Sequence, residues 1–111
     1  MVRSERNRYI LFQVVKEDNL RIETKDLLNS IWKSIWKFFG MKEANKVGLW
    51  LIQFDTEKDL GLIRCSHYTK ELIISALALT NKISGKKVIL SPIRTSGTIK
   101  RIKGFQSTLK L

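Results

Sequence analysis

Four short segments of the chain are rich in β-branched and aromatic residues and predict β-strands. They are residues 8–15, 47–54, 60–66 and 87–93. The second and third are separated by five polar residues, a length that suits an antiparallel hairpin. Pro92 cannot donate a backbone hydrogen bond, so we expect the fourth strand to lie at a sheet edge or to end there.

Two longer segments carry apolar residues at spacings of three and four and predict helices. The first, with apolar positions from 27 to 39, follows a capping residue at Thr24 and reaches Gly40, which we expect to end it in a left-handed conformation. The second covers residues 69–83 and is closed by a Ser-Gly pair at 84–85.

The order β-α-β-β-α-β is that of the split βαβ, or ferredoxin-like, fold, which RNA-recognition motifs share. It predicts an α+β sandwich with a four-stranded antiparallel sheet and two helices on one face. The strands alternate poorly between apolar and polar residues, so we expect the other face to be covered by a partner or by the C-terminal tail. A single domain spans 1–111: a basic arm (1–7), the sandwich core (8–97) and a basic tail (98–111).

Length and composition restrict the class of protein. With 111 residues, 43% of them hydrophobic, the chain can bury enough apolar surface to fold as one domain. Its apolar runs are far shorter than the roughly 20 residues that cross a bilayer, so no membrane partner is expected. The charged N-terminus lacks the order of a secretion signal, which predicts a cytoplasmic protein.

Positive charge is concentrated in the last third of the chain. Residues 1–71 hold 13 Lys and Arg against all 10 Asp and Glu, a balance of +3, whereas residues 72–111 hold eight cations and no acid. A mixed-sign surface would serve solubility equally well, while a surface of one sign attracts polyanions. Nucleic acid is therefore the leading class of partner.

Side chains that could carry catalysis are few. His67 is the only histidine and Cys65 the only cysteine, so together they supply at most two ligands of a zinc site. We expect Cys65 to be a small core residue and His67 a polar group at a strand end. Asp55, Glu57 and Asp59 lie in the hairpin turn, where solvated carboxylates are expected. The chain is predicted to hold no catalytic residues and no metal.

Base stacking on the sheet is not expected, because the third strand offers Leu62, Ile63 and Arg64 where RNA-recognition motifs carry aromatics. Binding would then rest on phosphate contacts and shape. Residues 94–101 (RTSGTIKR) combine hydroxyls, cations and Gly97, a glycine free to take positive φ. They could form a backbone N–H concavity for a phosphate oxygen, or an ordinary turn after the fourth strand.

An ordered set of short motifs resembles protein component 2 of archaeal and eukaryotic ribonuclease P. The set covers residues 8 to about 101 and consists of RYILF at 8–12, FG at 39–40, GLIRC at 61–65, ALAL at 76–79 and RTSGTIK at 94–100. The resemblance implies a non-catalytic subunit of a ribonucleoprotein whose RNA, with magnesium, removes the 5′ leader of precursor tRNA. The chain itself is expected to bind no cofactor.

The resemblance also implies protein partners. It predicts pairing with ribonuclease P protein component 3 in a two-plus-two heterotetramer centred on a homodimer of component 2. Trp32 and Trp36 lie four residues apart on one helix stripe and are assigned to the core or to a subunit contact rather than to base stacking.

Contact with ribonuclease P RNA is assigned to two groups of residues, one from each end of the chain. They are Arg3, Arg6 and Arg8, and Lys86, Lys87, Arg94, Ser96, Gly97, Thr98, Lys100, Arg101 and Lys103. A second hypothesis is a ferredoxin-like protein-interaction or ligand-sensing domain with an incidental basic surface. It predicts a defined oligomer or a small-molecule pocket, and no salt-dependent affinity for RNA.

Overall fold

The computed structural model describes residues 7–17, 21–44, 49–98 and 100–102. Within these ranges the chain forms a mixed α+β fold. A 3₁₀ turn, His67–Thr69, precedes the second helix, and residues 100–102 are again helical. The strands are β1 (Asn7–Lys16), β2 (Trp50–Asp55), β3 (Leu60–Ser66), β4 (Lys82–Ile83) and β5 (Lys86–Ser96); the helices are α1 (Thr24–Ala44) and α2 (Lys70–Leu79).

The sheet is antiparallel throughout, with strand order β2-β3-β1-β5-β4. β1 lies at its centre and pairs with β3 on one side and β5 on the other. The predicted α+β class is confirmed, but the predicted number of strands is wrong. The described part of the chain has five strands. The prediction missed β4 because it assigned residues 82 and 83 to the end of the second helix.

The second helix is shorter than predicted and ends at Leu79. The Thr80 hydroxyl donates to the Ala76 carbonyl at 2.7 Å, and the Thr80 N–H donates to the same carbonyl at 3.0 Å. Ser84 and Gly85 have φ of 52° and 79°, the sign that a tight two-residue hairpin turn requires. Ile83 therefore enters the core as a residue of β4, although its spacing of four from Leu79 also fits a helix.

The first helix follows the prediction more closely. It begins at Thr24, and Gly40 interrupts it with φ 86° and ψ 169°. The expected positive φ at this glycine is confirmed, but helical backbone resumes beyond it and the element continues to Ala44. A glycine can adopt this backbone without the steric cost that a Cβ would add.

Pro92 lies where β5 has a free edge. β4 pairs with Lys86 and Lys87, and the Asn81 carbonyl accepts the Val88 N–H at 3.0 Å, so β5 beyond Val88 is paired with β1 alone in the described residues. The β1–β5 register shifts between Leu11 and Phe12, and Pro92 lies opposite Phe12 at this irregularity. The predicted edge position of Pro92 is confirmed.

The main hydrophobic core lies between the sheet and the two helices. Phe12 is fully buried in it, and Gly61 of β3 lies so close beneath the Phe12 ring that a Cβ there would collide with it. The largest other members are Ile10, Leu27, Ile31, Ile35, Ile63, Ile73, Leu77, Ile83 and Leu90. Fully burying one such aliphatic side chain contributes about 1.5–3 kcal/mol, so this layer carries most of the stability.

The opposite sheet face, called here the open face, has a smaller apolar cluster. Leu11 of β1 and Leu62 of β3 are buried there against Ile102 of the C-terminal helical turn, which is 0% exposed. The tail therefore covers part of this face, as the sequence predicted. Farther along the same face, Val15 lies opposite Ile89, and these two side chains are 47% and 63% exposed.

Two acids of the β2–β3 turn are engaged in bonds rather than simply solvated, which corrects the sequence-based expectation. The Asp55 carboxylate accepts the backbone N–H groups of Glu57 and Lys58 at 2.9 and 3.1 Å. Asp59 forms an ion pair with Lys16 of β1 at 3.2 Å, and both side chains are more than four-fifths buried. The turn folds back on the end of β1, so these carboxylates stabilise the hairpin.

Candidate nucleic-acid interface

Strand pairing brings three chain segments together at one end of the sheet. Asn7 at the start of β1 lies opposite Ser66 at the end of β3. Tyr9, two residues later, lies opposite Ser96 at the end of β5. Arg8 and the residues after β5, which are 89 positions or more apart in sequence, therefore meet. We call Arg8, Arg94, Lys100 and Arg101, with residues 96–98, the cationic end.

Arg8 is the innermost cation of the cationic end. Its Nη1 donates to the Asn7 carbonyl at 2.9 Å. The same Nη1 is 3.6 Å from the point where a Cβ on Gly97 would lie. Gly97 does not adopt the positive φ that the sequence left open to it. The glycine instead leaves open space beside the guanidinium group.

Hydroxyl groups organise the segment after β5. Ser96 Oγ accepts the backbone N–H of Thr98 at 3.2 Å, and Thr98 Oγ1 accepts the backbone N–H of Arg101 at 3.3 Å. Both N–H groups thus have partners within the chain, which leaves them unsuited to the phosphate concavity that the sequence suggested. Thr98 caps the turn that holds the exposed Lys100 and Arg101 side chains outward while Ile102 is buried.

Two arginines extend the cationic end onto the open face. Arg94 is exposed and lies opposite Leu11, whose side chain packs against Ile102. Arg64 of β3 lies opposite Tyr9 and is half-buried. Arg64 was missed among the sequence-predicted contacts, because it lies inside a strand far from the acid-free stretch. Only the β1–β3 register reveals its place.

Lys86 and Lys87 are not part of the cationic end. They begin β5, whereas Arg94 lies near its far end, and eight residues of strand span roughly 25 Å. Their neighbours include Lys82, which pairs with Lys87. The acidic β2–β3 turn lies at this same end of the sheet, since Asp59 bonds to Lys16 there. The predicted RNA-binding residues therefore form two separate surfaces.

Three of the predicted contact residues, Arg3, Arg6 and Lys103, lie outside the described residues. The predicted partner-binding tryptophans are both on α1, with ring centroids 6.0 Å apart. Trp32 is half-buried against the main core, whereas Trp36 is 47% exposed. Exposed Phe38 lies two residues farther along the same helix. Any subunit contact made by this pair would thus rest chiefly on Trp36.

Cys65 and His67 do not form a reactive pair. Cys65 is fully buried in the main core, as predicted. Its burial raises the pKa of the thiol to about 11, an effect that the hydrogen bond with Thr69 and the charges of Lys70 and Arg8 only partly oppose. Within the ranges that the structure describes, no group of three or more His, Cys, Asp or Glu side chains could hold a metal ion.

The buried thiol gives a pH-dependent prediction. At pH 9, near its ordinary pKa of 9.0, about half of an exposed thiol is ionised, but only roughly 1% of a thiol with a pKa of about 11. We expect the folded protein to react with iodoacetamide at least tenfold more slowly at pH 9 than the same protein in urea. Equal rates would contradict the burial of Cys65.

The same pKa shift sets the sign of the stability change. The folded state holds the Cys65 proton more tightly than the unfolded state does, so this group favours folding fully below pH 9. Its contribution is lost progressively as the pH rises from about 9 to about 11.

None of the helices in the parts of the chain that the structure describes is long and apolar enough to span a membrane. Fold and surface together define a small basic α+β domain with a cationic end suited to a polyanion. Comparison with known proteins names the family: residues 8–106 match the model of the Rpp14/Pop5 family, and the chain belongs to it.

Several relatives carry the name ribonuclease P protein component 2. The protein from Pyrococcus horikoshii is 37% identical over 100 residues, covering 89% of this chain and 81% of its own. That from Archaeoglobus fulgidus is 34% identical over 98 residues, covering 88% and 85%. The resemblance seen in the sequence motifs is thereby confirmed.

The fold also has a counterpart among solved structures. A chain in the cryo-EM structure of yeast ribonuclease MRP superposes with a TM-score of 0.71, covering 97% of this chain and 96% of that one. Sequence identity between the two is 13%, so this comparison bears on the fold alone.

Proposed function

We propose that this chain is a non-catalytic protein subunit of ribonuclease P, which binds and stabilises the catalytic RNA that removes the 5′ leader of precursor tRNA. Membership of the Rpp14/Pop5 family carries the proposal, and the cationic end supplies its physical basis. Cations on the protein neutralise RNA phosphates that would otherwise repel one another as the RNA folds. Magnesium ions, held by the RNA, would perform the chemistry.

The sheet supports a finer description of the fold. Without β4, the strand order is β2-β3-β1-β5, in which the first and third strands are central neighbours. We propose that these four strands are the ferredoxin-like core and that β4 is an addition to it. The hairpin formed by β4 would then be a local elaboration at the end remote from the cationic end.

Protein partners belong to the same proposal. Ribonuclease P protein component 3 and a second copy of this chain, in a two-plus-two assembly, need surfaces that are apolar and accessible. Two candidates in the described residues are Trp36 on α1 and the paired Val15 and Ile89 on the open face. The proposed location of the assembly is the cytoplasm.

A salt titration tests the proposal. The full chain, mixed with ribonuclease P RNA, should bind with an affinity that falls linearly on a log–log plot against salt concentration. The slope should be roughly 0.7–0.9 for each phosphate neutralised, so at least three contacts give a slope steeper than about −2. A slope near zero would show that the basic surface is incidental and would contradict RNA binding.

A further inference from the structure

Tyr68 has an unusual position for a large aromatic side chain. It lies in the 3₁₀ turn His67–Thr69, directly after the end of β3. Ser66, two residues before it, pairs with Asn7 at the start of β1. The turn therefore lies at the same end of the sheet as Arg8 and Gly97, although the sequence gives no sign of that proximity.

The turn is held rigidly while the Tyr68 ring points away from the core. Thr69 is 6% exposed, and its hydroxyl donates to the Ser66 carbonyl at 3.2 Å and lies 3.0 Å from Ser66 Oγ. Tyr68 is 66% exposed, more than any other large apolar side chain in the described ranges. A rigid backbone with an exposed ring loses little conformational freedom when the ring acquires a partner.

His67 supports the Tyr68 ring from one side. The two ring centroids are 3.9 Å apart and the planes are tilted by 39°. His67 is half-buried, and its Nδ1 is shielded from solvent without a hydrogen-bond partner among the described residues. The Tyr68 ring is thus held against His67 with most of its surface in solvent.

The charges around the turn suit a phosphate backbone. Arg8 and Lys70 both lie near enough to the Cys65 thiol to lower its pKa, and Lys70 directly follows the turn. Lys70 pairs with the adjacent Glu71 at 3.5 Å, but the Glu71 side chain is 82% exposed. Such exposed pairs are weak, so Lys70 can exchange Glu71 for a phosphate at little cost.

We propose that Tyr68 stacks on one unpaired nucleobase of an RNA whose adjoining phosphates lie on Arg8 and the cationic end. The inference rests on the proposed function, to which it adds recognition of an unpaired nucleotide. Aromatic side chains beside a basic track are a general means of holding single-stranded bases, because every base presents a π-face.

A protein contact is the less favoured use of this ring. Protein hot spots consist of aromatic anchors surrounded by apolar contacts that exclude water. The other exposed apolar side chains of the described residues lie on β1, β5, α1 and the end of α2, not in this turn. The Tyr68 ring instead contacts the His67 imidazole, and Lys70 directly follows the turn.

The experiment uses two RNA hairpins of equal length, one fully paired and one with a single bulged 2-aminopurine. The full wild-type chain should bind the bulged hairpin roughly tenfold more tightly and should quench the 2-aminopurine fluorescence. Tyr68→Ala should abolish both the preference and the quenching, whereas Tyr68→Phe, which keeps the ring, should retain them. Neither variant should change the salt dependence, because phosphate contacts are untouched.

Each outcome has a distinct meaning. Equal binding of the two hairpins by the wild-type chain, or an unchanged preference in Tyr68→Ala, would overturn the stacking role while leaving salt-dependent RNA binding intact. Absence of salt-dependent binding to either hairpin and to ribonuclease P RNA would contradict the proposed function itself. Circular dichroism of Tyr68→Ala checks the fold, which should be unchanged because the side chain is exposed.

Discussion

Simultaneous replacement of Arg94, Lys100 and Arg101 with alanine is expected to weaken binding to ribonuclease P RNA by roughly 10²- to 10³-fold near 0.1 M salt. The three side chains are exposed at the cationic end. Each phosphate contact releases nearly one condensed counterion, which is worth about a factor of ten in affinity at this salt concentration. The log–log slope should also flatten by roughly 2 to 3 units.

A matched variant separates this effect from a loss of total charge. Arg21, Lys25 and Lys58 are exposed outside the cationic end, before α1, in its first turn and in the β2–β3 turn, and their replacement with alanine removes the same +3. We expect this control to change the slope by less than about one unit. Equal losses of affinity in the two variants would mean that only net charge matters. An unchanged slope in the Arg94, Lys100 and Arg101 variant would show that these three residues do not contact the RNA.

The sequence predicted most of the elements because their signals are local. The bounds of β3 agree residue for residue with the predicted strand, since a compact apolar segment lies between a polar turn and a polar stretch. Ile83 shows where a local signal fails. Because Ile83 comes four positions after Leu79, it fits a helix equally well. The hairpin turn at Ser84 and Gly85 places it in a strand instead.

The candidate site was predicted only in part, because its assembly depends on strand register. The motif at residues 94–101 was found from its hydroxyls and cations, and Arg8 was found with Arg3 and Arg6 as a group of arginines near the start of the chain. The β1–β5 pairing brings Arg8 next to Gly97. The same pairing puts Lys86 and Lys87 at the other end of the sheet. Tyr68 lacks any motif, and its exposure emerges only when the 3₁₀ turn is folded.

Of the eight cations in residues 72–111, six lie in the described residues and form two regions, whereas Lys103 and Lys110 lie outside them. Arg94, Lys100 and Arg101 join Arg8 at the cationic end, while Lys86 and Lys87 lie at the opposite end of β5, next to Lys82 of β4. Two separated basic surfaces can contact separate strands or helices of one folded RNA. This arrangement suits a protein that holds RNA segments in place, which is the role proposed for it.

Stabilisation of the RNA should appear as a reduced requirement for magnesium. A protein that binds only the active fold of the RNA raises the population of that fold by up to about 100-fold when it is present at 100 times its dissociation constant. The effect is largest at limiting magnesium, where the RNA alone rarely adopts the active fold. At saturating magnesium the two conditions should converge.

The most direct measurement is therefore cleavage of precursor tRNA by ribonuclease P RNA and component 3, with and without this chain, across a magnesium series. We expect the 5′ leader to be removed at least tenfold faster with the chain at limiting magnesium, and a lower magnesium concentration to give half-maximal cleavage. The chain with magnesium but without RNA should leave the substrate intact. Equal cleavage rates with and without the chain at every magnesium concentration would contradict its role as a subunit that supports the catalytic RNA.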